Sequence, residues 1–363
     1  MNYRMATLHA LKSYEADTTE IIDVNVRDPI SQLIIELRVL NTVDDMDAHP
    51  IACLTKIELV DGSDVLFSLS GYEAEALDWY ASKGMERANW NFWAGGTSTR
   101  FCVLNFGRHL WDELLALDPA QFSNLQLKLT LDIGAGGNSS TPNSLQVWAA
   151  LFDQKDISPV GFLTHKEIKD YVMQASGHEY TDLPTDYTYR KLLIRNLEAG
   201  TEPCQNIGVV KLSEDQDKRV VFDHAMVDLL RTMAIDHPLL VEQIMFACDT
   251  GGVSVFTTVS ERATATFADW AAAVASGLYA SYGSAGGRMT AICGTAATNA
   301  VAIVTGYIPH GVFEIPFGDQ NDIDDWYKVG EGIGSLKLDI TGGSGLAGTE
   351  TCQIFLQQLR PYA

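Results

Sequence analysis

The clearest signal along the chain is apolar–polar alternation with a period of two. In Leu125-Gln126-Leu127-Lys128-Leu129-Thr130-Leu131-Asp132, four leucines fall on one face and four polar residues on the other. That is the pattern of a β-strand with one face in a core and one in water. The turn Gly134-Ala135-Gly136-Gly137-Asn138 ends it. Ser335-Leu336-Lys337-Leu338-Asp339-Ile340 reads the same way and stops at Gly342-Gly343.

These strands belong to a longer repeat. Asn105-Phe106-Gly107 precedes the first, followed by an acidic stretch through Trp111, Leu114 and Leu115 that reads as helical. Pro316-Phe317-Gly318 precedes the second, followed by an acidic stretch through Ile323 and Trp326. Phe106 to Phe317 is 211 positions, and so is Leu125 to Leu336. The strands after the Gly-rich turns, Leu145-Gln146-Val147-Trp148 and Cys352-Gln353-Ile354-Phe355, lie 207 apart. Upstream, Lys56-Ile57-Glu58-Leu59, Val65-Leu66-Phe67 and a helix-like segment from Glu73 to Tyr80 correspond to Val209-Val210-Lys211-Leu212, Val220-Val221-Phe222 and Ala225 to Leu230. Here Leu59 to Leu212 is 153 positions.

A repeat this long sets the architecture. It predicts an all-β chain with short helices: two tandem eight-stranded jelly-roll β-sandwiches, a double jelly roll. A length of 363 residues fits two domains. The offset jump places roughly 58 added residues in the second copy only, between about 235 and 312. This insertion reads as a projecting tower. Within it, Phe267, Trp270, Val274 and Leu278 have near-helical spacing, and Met289 to Ile292 and Val301 to Val304 read as strands. The expected division is an N-terminal arm at 1–28, a first jelly roll at 29–165, a linker at 166–188 around Asp182-Leu183-Pro184-Thr185-Asp186, and a second jelly roll at 189–363. In the arm, Met5, Leu8 and Leu11 with Arg4 and Lys12 suit a weakly amphipathic helix.

The formal net charge of −22, with no basic block, argues against direct nucleic acid binding, which needs clustered Lys and Arg. No run of about 18 apolar residues occurs, so no membrane-spanning helix is expected. The start, Met1-Asn2-Tyr3-Arg4-Met5, lacks the apolar core of a signal peptide, which predicts synthesis in a host cytoplasm. Cys53, Cys102, Cys204, Cys248, Cys293 and Cys352 are widely spaced with no C-x-x-C, and read as buried free thiols.

The order of parts resembles the double-jelly-roll major capsid proteins of tailless icosahedral viruses, the lineage of tectiviruses and the adenovirus hexon. Three features carry this. One is the tandem duplication. The second is Thr55-Lys56-Ile57-Glu58-Leu59-Val60-Asp61-Gly62 followed by Val65-Leu66-Phe67 and a short helix. The third is Phe-Gly before the penultimate strands of both copies. The resemblance runs from about 30 to 360 as a pattern of elements. It implies a structural major capsid protein that trimerises into pseudo-hexameric capsomers tiling an icosahedral shell, located in the virion. Implied partners are the homotrimer itself, neighbouring capsomers, penton or vertex proteins, minor capsid proteins, and an internal viral membrane reached by the N-terminal arm.

Catalytic motifs are sparse. His9, His49, His109, His165, His178, His224, His237 and His310 are dispersed, with no H-x-H or H-E-x-x-H. No G-x-S-x-G occurs, and Ser284 and Ser344 sit in Gly-rich turns. Gly330-Glu331-Gly332-Ile333-Gly334 lacks the strand–helix frame of a dinucleotide loop. Asp319, Asp322, Asp324 and Asp325 form an acidic run without EF-hand spacing, better read as a helix N-terminal turn. Trp90 and Phe92 share one face of a strand, as core packing requires. Asn138-Ser139-Ser140 matches a glycosylation sequon, relevant only on a secretory route. The expectation is no enzyme, no catalytic residues, no cofactor and no metal. Two alternatives stand beside it. One is a two-domain jelly-roll glycan-acting enzyme or lectin, for which Glu73, Glu75, Asp112 and Glu113 are the acids available, each on an expected helix surface. The other is a viral receptor-binding spike protein.

Overall fold

The computed structural model describes residues 1–82, 90–136, 142–237, 239–248, 250–269, 278–293, 298–329, 332–346 and 348–362. Nine strands come first: β1 (Tyr3–Tyr14), β2 (Thr18–Asp23), β3 (Ile30–Leu40), β4 (Leu54–Asp61), β5 (Asp64–Leu69), β6 (Trp90–Phe92), β7 (Thr97–Asn105), β8 (Leu125–Leu131) and β9 (Asn143–Phe152), with helix α1 (Gly71–Ala81) after β5. Then follow β10 (Gly161–Val172), β11 (His178–Leu183), β12 (Thr188–Arg195), a one-turn helix α2 (Pro203–Asn206), β13 (Ile207–Glu214), β14 (Arg219–Ala225) and helix α3 (Met226–Asp236). Six strands form the insertion: β15 (Leu240–Cys248), β16 (Val253–Phe256), β17 (Val259–Asp269), β18 (Leu278–Ala285), β19 (Arg288–Cys293) and β20 (Thr298–Pro309). The chain closes with β21 (Val312–Pro316), β22 (Leu336–Gly342) and β23 (Thr351–Pro361).

The pairing repeats strand for strand. One sheet runs β1-β9-β3-β7, and its counterpart runs β10-β23-β12-β21. Opposite them lie β2-β8-β4-β5 and β11-β22-β13-β14. Each copy is therefore an eight-stranded sandwich with the same strand order. Alternation made these strands legible: β8 buries every second residue, as does β22 over most of its length. The offset of 153 holds only up to the end of β13. The turn joining β4 to β5 spans Gly62-Ser63, with Gly62 at φ 60°. The matching turn runs from Asp215 to Lys218, with Asp215, Gln216 and Asp217 all at positive φ. It is two residues longer, so β14 starts 155 positions after β5 (219 against 64).

Four expectations need correction. The segment from Tyr3 to Tyr14 is not helical. It is β1, in antiparallel pairing with β9, and β2 pairs with β8. Open sheet edges offer backbone hydrogen bonds that a short isolated helix cannot match. The stretch expected as an arm thus carries two edge strands of the first sandwich. The stretch expected as a linker is mostly strand as well: β10 pairs with β23 and β11 with β22. The acidic stretches after Phe106-Gly107 and Phe317-Gly318 are turns rather than helices. Their aspartates bind nearby backbone N–H groups and compete with helix formation. Asp112 accepts from the N–H groups of Arg108 and Leu114, and Asp325 from that of Asp319. Finally, Phe267 and Leu278 lie in strands β17 and β18, not in one helix; Trp270 and Val274 fall outside the described residues. Alternation through Thr264 and Thr266 prevails there over the wider helical spacing.

The insertion builds a tower of two sheets, β17-β20-β15-β6 and β16-β19-β18. It has its own core, with Ile244, Phe246, Val255, Met289 and Val304. Met46 and Trp79 of the first copy complete that core, and β6 pairs in parallel with β15. The tower is inserted in one copy but seated on both. Cys248, in β15, is disulfide-bonded, which departs from the expected free thiols; Cys53, Cys102, Cys204 and Cys352 are free. Spacing along the chain does not disclose that bond.

Candidate functional site

The duplication creates one feature a single sandwich lacks, the seam between copies. Strand β5 ends the first copy's sheet, and β10 begins the second copy's sheet. They pair in parallel, with Phe67 opposite His165 and Ser68 opposite Lys166. Eight strands thereby form one continuous sheet, β2-β8-β4-β5-β10-β23-β12-β21. Three further contacts brace the seam. The Phe67 ring lies 5.0 Å from the His165 ring. Arg360 grips the Asp64 carboxylate with both Nη atoms. The Thr164 hydroxyl donates to the Leu66 carbonyl.

A cavity of about 560 Å³ opens beside this pairing, lined by Phe67, Leu77, Tyr80, His165, Arg190 and Glu314 among others. Several of its polar groups pair with one another. Lys191 Nζ sits 2.7 Å from Glu314, and His237 Nε2 sits 3.5 Å from it. Burial opposes ionisation of Glu314, but Lys191 and His237 outweigh it and hold the carboxyl at about 2. The Tyr80 hydroxyl donates to the Val312 carbonyl at 2.5 Å. Arg190 donates to Gln357 and lies over the Trp326 ring at 5.4 Å; burial lowers it to about 10. Burial also pushes His165 down to about 3, so its imidazole is neutral. The two Phe-Gly turns meet here, where Arg108 donates to the Asn321 carbonyl at 2.6 Å.

A second buried group ties the tower's foot to the first copy. His49 precedes the turn at Pro50–Cys53, Glu75 lies on α1, Arg100 on β7, and His310 between β20 and β21. Arg100 donates to Glu75 through Nε at 2.7 Å, and His310 Nε2 lies 3.1 Å from the other oxygen. Burial raises the Glu75 carboxyl, but Arg100 and His310 bring it below its ordinary value. Burial holds both His49 and His310 down, so they are neutral. The donor atoms of His49, Glu75 and His310 fall within 4.8 Å of one another, as a metal would need. Arg100 already supplies the cation at Glu75, so the set is an ion-pair latch. Glu202, Cys204 and Glu261 form a similar group. There the Cys204 thiol donates to Glu261, and burial with that bond pushes it up to about 12, far from a ready thiolate ligand.

The acids available to a glycan-acting site do not converge. Glu73, Glu75 and Asp112 are buried rather than on a helix surface, because each has a structural partner. Glu73 caps α1 through Ser70, Glu75 holds Arg100, and Asp112 holds Arg108. Glu113 is exposed beside Lys155. Asp319, Asp322 and Asp325 accept from backbone N–H groups of their own turn. Ser284 lies in β18 and Ser344 in the turn after β22. The sequon at 138–140 and residues 330–331 lie outside the described residues, as do the side chains of Trp90 and Phe92. Neither buried cluster was legible in the sequence. Glu75 and His310 stand 235 positions apart, and no local spacing links them.

Strand order, duplication and seam together define a double jelly roll, the fold of viral major capsid proteins. Among solved structures, the chain is similar to the major capsid protein of Sulfolobus Turreted Icosahedral Virus, with a TM-score of 0.61 and 11% identity over 99% of this chain and 97% of that one. It is also similar to VP54 of PBCV-1 (TM-score 0.60, 10% identity, 99% and 94% covered). The major capsid protein P2 of bacteriophage PM2 shows the same likeness (TM-score 0.54, 10% identity, 99% and 98% covered). No protein-family model matches the sequence, and no curated protein matches it.

Proposed function

We propose that the chain is a structural major capsid protein, three copies of which form a pseudo-hexameric capsomer of an icosahedral virion. The carrying observation is the seam: two like sandwiches locked side by side by one continuous sheet. Such a unit presents two near-equal building blocks in one rigid body, so three chains supply six blocks around an axis. The full-length likeness to three viral capsid subunits supports the same reading.

In this reading the functional division is a first block from β1 to β9, a second from β10 to β23, and a tower from β15 to β20. The tower seats on α1, where Trp79 enters its core. Partners are other copies of the chain, vertex proteins and minor capsid proteins, and the working location is the virion shell. The chain is not an enzyme in this account, because the candidate acids Glu73, Glu75 and Asp112 are each spent on a cap or an ion pair rather than on one cleft.

Light scattering on a size-exclusion column tests the assembly. A mass near three times 39.7 kDa, or larger lattices, is expected. A stable monomer over a wide concentration range contradicts it.

A further inference from the structure

The duplication makes every surface of one copy comparable with its counterpart in the other. At the seam, β5 of the first copy is covered by β10 of the second. The counterpart of β5 is β14, and β14 ends its sheet, with no strand on its outer edge among the described residues. The counterpart of β10 is β1, which likewise ends its sheet. Each chain thus carries one made junction and the two separated halves of an unmade one.

The side chains follow the same logic. Phe222 is the counterpart of Phe67, 155 positions on. Phe67 is 2% exposed beneath His165, whereas Phe222 is half-buried. Matching the pairing of β1 on β9 to that of β10 on β23 makes Met5 the counterpart of His165, and Met5 is 52% exposed. The charged pair at the seam has a counterpart with its signs exchanged. Asp64 corresponds to Arg219, and Arg360 corresponds to Asp153. Tyr80, buried at the seam, corresponds to Ile235 on α3, which is 82% exposed.

The cavity has its counterpart too. A groove of about 580 Å³ lies along β14, α3 and β21, lined by Phe222, Leu229, Thr232, Ile315 and Gly318 among others. These match Phe67, Ala74, Leu77, Leu104 and Gly107, which line the seam cavity. In the seam cavity the opposite wall is supplied by the second copy. At the groove, no counterpart of that wall comes from the described residues of the same chain.

We propose that the groove and outer edge of β14 receive the β1 edge of a second copy of this chain, repeating the β5–β10 junction between subunits. Met5 of the incoming copy would then stack on Phe222, a sulfur–aromatic contact in place of His165 on Phe67. Asp153 of that copy would face Arg219, which an unlike-charge pair favours in a chain of net charge −22. The contact joins different surfaces on the two partners, so it is heterologous and closes into a ring or runs on. This rests on the capsid reading and names the surfaces that reading needs.

The test is cross-linking of the full chain. Met5→Cys/Phe222→Cys should form intermolecular disulfides under mild oxidation, ending at a covalent three-chain species on a non-reducing gel, while neither single variant does. Arg219→Glu should weaken association about fivefold in sedimentation; because it also ends the intrachain pair with Glu214, its fold is checked by circular dichroism beside Arg219→Gln, which should weaken association in the same direction. If the wild-type chain is a trimer but the double variant does not cross-link and Arg219→Glu assembles normally, the junction is elsewhere and this proposal falls while the capsid reading stands. If the wild-type chain stays monomeric, both fall.

Discussion

Arg100 on β7 and Glu75 on α1 form an ion pair with both side chains at most 2% exposed, and the second oxygen of Glu75 meets His310 at the foot of the tower. This relationship couples the first sandwich to an insertion in the second. Breaking a buried pair strands the remaining charge in a medium that solvates it poorly. Arg100→Met should therefore lower the unfolding free energy by about 3–5 kcal/mol. The double variant Arg100→Met/Glu75→Gln should lose less, since no charge is left unpaired. Urea unfolding measures both; equal losses in the two variants would show that the charge is not the issue.

Glu73 predicts a pH dependence. It is fully buried, caps α1 through Ser70, and one of its oxygens has no hydrogen-bond partner among the described residues. Burial first, then the Glu167 charge, raise it from 4.5 to about 7. A raised folded-state value means the folded form holds the proton more tightly. Its contribution to stability is full below about 4.5 and is lost as pH rises through 7, on the order of 3 kcal/mol in all. Glu73→Gln should flatten this part of the stability profile. An unchanged slope between pH 5 and 7 in the variant would assign the dependence to other groups.

The Phe-Gly turns predict a contrast between glycines. Gly318 sits at φ 67°, and a Cβ there would lie 2.2 Å from the Asp325 carbonyl oxygen. Gly62 has a similar φ of 60° but open space around it. Gly62→Ala should lose about 1 kcal/mol from backbone conformation alone. Gly318→Ala should lose more, because the turn must also move. Thermal unfolding of the two variants side by side checks the order, and a smaller loss at Gly318 would mean its turn is not held as described.

Tower removal is the next prediction. Replacing residues 240–309 by a short Gly-Ser linker leaves all sixteen sandwich strands of β1–β5, β7–β14 and β21–β23 intact. It also uncovers Trp79 and Met46, now 4% and 1% exposed. The shortened chain should keep a β-sheet circular dichroism spectrum and unfold cooperatively at a lower temperature, and adding Trp79→Ser should improve its solubility. Loss of folded protein in both forms would mean the sandwiches need the tower.

These outcomes also mark where the sequence was readable. Strands such as β8 and β22 announced themselves because one face is wet, and their 211-residue offset matched in the structure. The strands β1, β10 and β11 were missed for the opposite reason. Their exposure is irregular, as in β1 with Met5, Ala10 and Leu11 all exposed, so no clean alternation survives. The helices expected after Phe106 and Phe317 failed because acidic residues suit both a helix start and a turn, and only the partners of Asp112 and Asp325 decide between them. The seam and the Glu75 cluster join residues up to 296 positions apart, as Arg360 and Asp64 are. Long-range pairing of that kind leaves no local pattern to read.

The most direct test of the central claim is electron microscopy of the concentrated full-length chain. The account predicts pseudo-hexagonal particles with six near-equal lobes, three of them bearing a tower, that pack into sheets or shells. Isolated two-lobed particles at every concentration would contradict it.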